Sequence, residues 1–197
     1  MVRTRGGTEV ALGVCAVDLS FLEFGDDSSY QNLTEFIGAI IAVAGHIVLG
    51  FSGRSLALRG DGVTANTWAF TERPRGSIVT NASMVWTLLC LASDINVTEV
   101  THIAGLDNKN CDFLSRKGTH PTTSIAEDVQ RMGLGNLAVL DLCGADSAID
   151  IVRLCDPRVQ LDSEEDFVRF WVQAKTAIDM FLTSTQRGHQ SGRPGEH

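Results

Sequence analysis

Residues 101–116 read Thr-His-Ile-Ala-Gly-Leu-Asp-Asn-Lys-Asn-Cys-Asp-Phe-Leu-Ser-Arg, and the interpretation of the whole chain depends on this stretch. It begins in a strand-like run, Val97 to Ile103, and continues through a turn-forming Gly-Leu-Asp-Asn segment into a short helical start. Asp112 is expected on the first turn of that helix, where the helix dipole and free backbone N–H groups favour a carboxylate. His102 stands ten residues earlier, at the end of the strand. The spacing predicts that His102 and Asp112 face one site across the turn.

Strand and helix patterns alternate along the first 117 residues. Two β-leaning runs come first, at 10–17 and 19–24, and the tight turn between them predicts an antiparallel pair. An antiparallel start followed by strand–helix alternation predicts a mixed α/β sheet. The later predicted elements are a helix from Asn32 to Leu49, a strand from Ser55 to Gly60, helices over 63–70 and 77–93, and a strand over 97–103.

The chain changes character beyond Lys117. A linker-like segment comes first, and predicted helices follow it. The last helix has Asp162 or Ser163 as its N-cap and ends at about Leu182. We therefore expect a domain over 1–117, a helical extension of unknown role over 118–184, and a disordered tail over 185–197. The last helix carries an apolar stripe that consists of Phe167, Phe170, Trp171, Ala174, Ile178 and Phe181.

The amino-acid composition argues against several classes of protein. The net charge of −8 argues against a nucleic-acid binder that relies on a basic surface alone, although a carboxylate-lined metal site is acidic by construction. Five cysteines without a Cys-x-x-Cys pair disfavour a zinc ribbon or a disulfide framework and favour an intracellular setting, in the cytoplasm or nucleus. The apolar run from Phe36 to Phe51 is interrupted by glycines and a histidine, so we expect a buried helix and no membrane span.

The string from His102 to Arg116 resembles the C-terminal signature of ribonuclease H domains in retrotransposon polyproteins, His-x-x-Gly-x-x-Asn-x-x-x-Asp-x-Leu-Ser-Arg. The resemblance covers about residues 1–117. It implies an α/β ribonuclease H-like fold: a five-stranded mixed sheet, with its first three strands antiparallel, flanked by helices. The implied activity is endonucleolytic hydrolysis of the RNA strand of RNA–DNA hybrids, with Mg²⁺ or Mn²⁺ as cofactor. Other domains of a reverse-transcriptase polyprotein would be its partners.

The resemblance also assigns residues to a two-metal site, which needs carboxylates from several elements. Glu35 matches the glutamate of the family's first helix, Asp61 the strand-end aspartate, and Asp112 the final aspartate; all three would bind Mg²⁺ through hard carboxylate oxygens. His102 resembles the mobile histidine that assists water entry or product release. Weaker candidates, for contacts with the nucleic-acid backbone, are Arg73, Arg75 and Asn108.

One expected ligand, the aspartate of the first strand, is missing. Counting back from Gly13 leads to Gly6, with Arg5 beside it, and neither can bind Mg²⁺. Either the element has decayed, or the start of the reading frame is wrong, or a nearby acid such as Glu9 or Asp18 substitutes. We expect low activity or none.

The missing aspartate also favours an alternative, a catalytically dead retroelement remnant that serves as a structural or interaction domain. Each site residue has a plain structural explanation as well: a glutamate near a helix start complements the dipole, and an aspartate before glycine is typical of turns. A small-molecule α/β enzyme is disfavoured, because the sequence contains no Gly-rich phosphate loop or nucleophile motif.

Overall fold

The computed structural model describes residues 13–16, 22, 28–48, 55–71, 76–109, 127–128, 130–131, 138–141 and 146–190. Helices account for most of these residues. A short 3₁₀ turn, Ser77–Val79, leads into the third helix. In chain order the elements are β1 (Gly13–Ala16), α1 (Ser28–Val48), β2 (Ser55–Gly60), α2 (Val63–Thr71), α3 (Thr80–Ser93), β3 (Asn96–His102), β4 (Ala138–Asp141), α4 (Asp146–Leu154) and α5 (Glu164–Gln190).

The strands form two separate two-stranded sheets, β1 with β4 and β2 with β3, and both pairs are parallel. The predicted ribonuclease H-like five-stranded mixed sheet is therefore wrong: the described strands neither join in one sheet nor include an antiparallel pair. The physical reason lies in the pairing of β1, which aligns Gly13 with Ala138, far along the chain. A local motif specifies a turn, but it carries no information about which distant strand will pair. The strand predicted over 19–24 lies outside the described residues, apart from the buried Leu22.

Helix α1 forms the centre of the core. Its apolar residues recur at helical spacing but cover a broad arc, so neighbours pack against it from several sides. The Phe36 ring lies 5.6 Å from Trp86 of α3 and 5.9 Å from Trp68 of α2, measured between ring centroids. The prediction that this apolar run forms a buried helix is confirmed over residues 36–47. Within the described ranges, no helix combines the length and apolar character needed to cross a membrane.

The C-terminal helices share this core. Phe170, Ala174 and Phe181 of α5 belong to the same buried cluster as the residues of α1 and α3. The Nδ2 group of Asn81, at the start of α3, donates hydrogen bonds to the carbonyl oxygens of Asp156 (2.7 Å) and Val159 (2.9 Å), between α4 and α5. Helix α5 continues to Gln190, so residues 185–190, predicted as part of a disordered tail, are helical.

Candidate functional site

Two of the predicted site residues lie at the carboxyl ends of β2 and β3. The strands pair with Gly60 opposite His102, and the N–H of Ile103 donates to the carbonyl oxygen of Gly60 at 3.0 Å. Asp61 follows Gly60 directly, so Asp61 and His102 stand at the same edge of the sheet, and both are exposed. Ligands of open α/β sheets bind at such carboxyl ends, because neighbouring parallel strands deliver their next residues to one crevice.

Helix α1 brings Glu35 to this edge. The Oε2 atom of Glu35 packs so closely against Gly62 that a Cβ at position 62 would overlap it and would lie 2.8 Å from the Glu35 Cδ. Position 62 therefore has to be glycine for the carboxylate to stay where it is. This Oε2 atom is shielded from solvent and has no hydrogen-bond partner. A buried carboxylate oxygen without a partner is costly, and an approaching donor or cation would offset that cost.

The pKa of Glu35 also reflects the unfavourable burial of its carboxylate. Its pKa is raised above the usual 4.5, first because burial removes the carboxylate from water and second because the charge of Asp61 repels it. A hydrogen bond with Gln31, one helical turn earlier, acts in the opposite direction. Glu35 and Asp61 thus form a carboxylate pair whose mutual repulsion a divalent cation would relieve.

Asn66 fixes the turn that presents Asp61. Its Nδ2 group donates to the carbonyl oxygen of Gly60 at 2.8 Å, and its backbone N–H donates to the carbonyl oxygen of Gly62 at 2.9 Å. The Asn66 side chain lies so close to Gly60 that a Cβ there would be 2.8 Å from its Oδ1. Asn66 therefore holds the turn on both sides of Asp61.

The turn after β3 is formed as the sequence predicts. The N–H of Asp107 donates to the carbonyl oxygen of Ala104 at 2.7 Å, and the N–H of Asn108 donates to those of Ala104 and Gly105, each at 3.2 Å. Asn108 is half-buried, and Lys109 is already helical.

The remaining predicted site residues cannot be placed against this edge. Asp112, Arg73 and Arg75 lie outside the described residues, as do Glu9 and Asp18, the possible substitutes for the missing aspartate. Their roles stay predictions. Of the four catalytic candidates, the structure therefore brings together Glu35, Asp61 and His102.

The chemistry of the pair suits a hard divalent cation. Mg²⁺ prefers carboxylate oxygens, keeps several of its waters, and is commonly held by one or two carboxylates together with substrate phosphates. Glu35 and Asp61 supply two such carboxylates from different elements. In the part of the chain that the structure describes, no group of three or more potential ligands (His, Cys, Asp or Glu) is arranged to hold a metal ion.

Sequence reasoning assigned no role to Gly62, Asn66 or Gln31. Gln31 carried a usable signal, because it precedes Glu35 by four residues and therefore lies on the same helix face. The requirement for glycine at 62 could not be found this way, since it depends on where α1 packs relative to the end of β2.

The described site therefore consists of two carboxylates, one of them desolvated, and an exposed histidine at one sheet edge. The carboxylates can bind a cation, and an imidazole can accept or donate a proton during hydrolysis. Comparisons with protein-family models, curated proteins and solved structures give no significant match to this chain.

Proposed function

We propose that this chain is a divalent-cation-dependent endoribonuclease that hydrolyses the RNA strand of RNA–DNA hybrids, as the ribonuclease H of a retroelement polyprotein. The observation that carries the proposal is the approach of the desolvated Glu35 carboxylate to Asp61 at the sheet edge that also carries His102. The signature at 102–116 suggests the class of substrate, and the carboxylate pair supports metal-dependent hydrolysis.

Each residue has a distinct role in this proposal. Glu35 and Asp61, together with Asp112, would hold Mg²⁺ or Mn²⁺, and the cation would supply Lewis acidity toward the phosphodiester. Asp61 is exposed and would share the cation with a substrate phosphate, whereas Glu35 is half-buried and would anchor it. His102 moves a proton or assists product release at the exposed end of β3.

Recognition of the hybrid would depend on its shape and on the 2′-hydroxyl groups of the RNA strand, without readout of base sequence. Arg73, Arg75 and Asn108 are the candidates for contacts with the backbone of the hybrid. The other domains of the polyprotein would be the protein partners. Action on such hybrids places the protein inside the cell, in the cytoplasm or nucleus.

A second candidate function is a non-catalytic retroelement remnant that acts as a structural or interaction domain. Two observations favour it: Gly6 stands where the family has its first catalytic aspartate, and helix α5 exposes large apolar side chains such as Phe167 and Val172. The two candidates differ in whether the carboxylate pair supports turnover.

Cleavage of an end-labelled RNA–DNA hybrid, with Mg²⁺ or Mn²⁺ and with chelator, separates the candidates. We expect weak metal-dependent cleavage, since the first-strand aspartate is missing, and we expect this cleavage to be lost in Glu35→Gln and Asp61→Asn. The matched control is Asp107→Asn, which neutralises an exposed acid in the neighbouring turn and should cleave like the wild type. Cleavage that persists in both site variants would refute the assignment of the site.

The absence of cleavage by the wild-type chain with either metal would refute the catalytic proposal as it stands. Gly6→Asp then discriminates further. Activity gained by this variant would identify a decayed enzyme on an intact site, and continued inactivity would leave only the structural role.

A further inference from the structure

Helix α5 carries two apolar faces, and only one of them is buried. Phe170, Ala174, Ile178 and Phe181 are spaced by three or four residues and pack into the core. Next to this row, in the first turns of the helix, Phe167, Val168, Trp171 and Val172 are 46%, 55%, 38% and 57% exposed. We call these four residues the α5 patch. The apolar stripe predicted for this helix is thus divided between the core and the surface.

The side chains of the α5 patch form one continuous surface. The rings of Phe167 and Trp171, one helical turn apart, are stacked with an interplanar angle of 18° and a centroid distance of 6.4 Å. Val168 and Val172 lie on the neighbouring row of the helix surface and widen this apolar area. Contiguous exposed apolar surface of this kind marks interaction sites, and aromatic residues dominate the energetics of such sites.

Acidic side chains border the α5 patch at its N-terminal end. Asp162, Glu164 and Glu165 are all exposed there. The nearby cations are already engaged: Arg169 pairs with Glu165 and Asp166 at 3.5 and 3.4 Å. The border therefore keeps an excess of negative charge. A partner that covers the aromatic pair would bring its own flanking side chains to this border, where cations fit and anions are repelled.

We propose that the α5 patch docks a basic amphipathic helix of another protein, with the apolar seam of that helix on Phe167 and Trp171 and its Lys or Arg side chains against the acidic border. An amphipathic helix that packs on this face would contact it through apolar anchors at i, i+3, i+4 and i+7. A second copy of this chain is a poorer occupant, because it would bring two acidic borders together on chains of net charge −8. The proposal is independent of any nuclease activity.

The test uses the full chain and a fluorescein-labelled synthetic helix of roughly 18 residues, about five turns, with leucines on one face and lysines on the other. The same peptide with glutamates in place of lysines is the charge control. By fluorescence anisotropy we expect the lysine peptide to bind, to weaken as salt is raised, and to protect Trp171 from acrylamide quenching. The glutamate peptide should not bind.

Surface variants locate the contact. Phe167→Ser combined with Trp171→Ser should weaken binding at least about tenfold, and so should Val168→Lys, which places a charge inside the patch. The matched control is Met180→Ser, because Met180 is 60% exposed on the same helix but outside the patch. Circular dichroism and thermal unfolding confirm that each variant is folded.

Four outcomes would overturn the proposal. These are no binding of the lysine peptide, equal binding of both peptides, equal weakening by Met180→Ser and the patch variants, and dimerisation in sedimentation velocity that the patch variants abolish. The last result would assign the patch to a second copy of the chain.

Discussion

Replacing Gly62 with alanine should disturb the site much more than the fold. The new methyl group would overlap the Oε2 atom of Glu35 and lie 2.8 Å from its Cδ, whereas ordinary contacts are 3.4–4 Å, so the carboxylate has to retreat by more than an ångström. The obstructing atoms are the free end of a flexible side chain, and an off-rotamer position costs about 0.5–1.5 kcal/mol. Alanine also lowers the entropy of the unfolded chain, which raises the free energy of unfolding by about 0.4–1 kcal/mol. The free energy of unfolding should therefore change by less than about 1 kcal/mol.

The effect on cation binding should be larger, because the retreat of Glu35 separates it from Asp61. We expect the Mn²⁺ affinity to fall at least about tenfold, which corresponds to about 1.4 kcal/mol. Isothermal titration with Mn²⁺ measures the affinity, and urea unfolding in the presence of chelator measures the stability. The matched control is Gly105→Ala, since a Cβ at position 105 meets no atom within 4 Å.

The double variant Glu35→Ala, Gly62→Ala tests the cause. If the clash with Glu35 is the only obstacle, the alanine at 62 should cost nothing once the glutamate side chain is removed. A loss of several kcal/mol in Gly62→Ala that persists in the double variant would refute the reasoning, because the backbone at 62 would then demand glycine by itself. Unchanged Mn²⁺ affinity in Gly62→Ala would show that the carboxylate pair is not the cation site.

Two further predictions concern stability. Glu35→Gln should stabilise the cation-free protein at neutral pH. The raised pKa of Glu35 means that folding disfavours the charged carboxylate, which lowers the free energy of unfolding. This loss of stability is absent below the usual pKa of 4.5 and grows as the pH rises toward the pKa of Glu35 in the folded protein. Urea unfolding across this pH range checks the sign, and an advantage of glutamine that is constant with pH would contradict it. Asn81→Ala should lower the free energy of unfolding by about 1–3 kcal/mol, because two partly buried hydrogen bonds from the buried Asn81 amide to carbonyl oxygens are lost. Chemical denaturation measures this loss, with the exposed Asn96→Ala as control, and a loss as small as that of the control would contradict the prediction.

Most helices and strands could be predicted from local patterns. The strand Ser55–Gly60 has the predicted bounds, and the helix predicted from Asn32 to Leu49 extends from Ser28 to Val48. The helix predicted over 77–93 is α3, preceded by one 3₁₀ turn. These agreements have one physical basis: side-chain burial imposes a period of 3.6 on a helix, and apolar β-leaning runs bounded by turn residues mark strands.

The resemblance to the ribonuclease H pattern led to Glu35, Asp61 and His102. The structure places these three residues at one edge of the β2–β3 pair, and their roles stay predictions. Asp112, the fourth catalytic candidate, lies outside the described residues. The supporting role of Gly62 could not be predicted, because close packing between α1 and the end of β2 is a contact between distant segments. A glycine looks the same in the sequence whether or not a side chain packs against it.

The sequence by itself determined where most helices and strands form, which acids stand at their ends, and that α5 carries an apolar stripe. The tertiary structure decided the rest: β1 pairs with β4 and not within a five-stranded sheet, Phe170 is buried while Phe167 is exposed, and Glu35 faces Asp61. The reason is the range of the forces involved. Backbone hydrogen bonding and side-chain periodicity act within a few residues, whereas strand pairing, burial and electrostatic coupling depend on segments that are distant in the chain and meet only on folding.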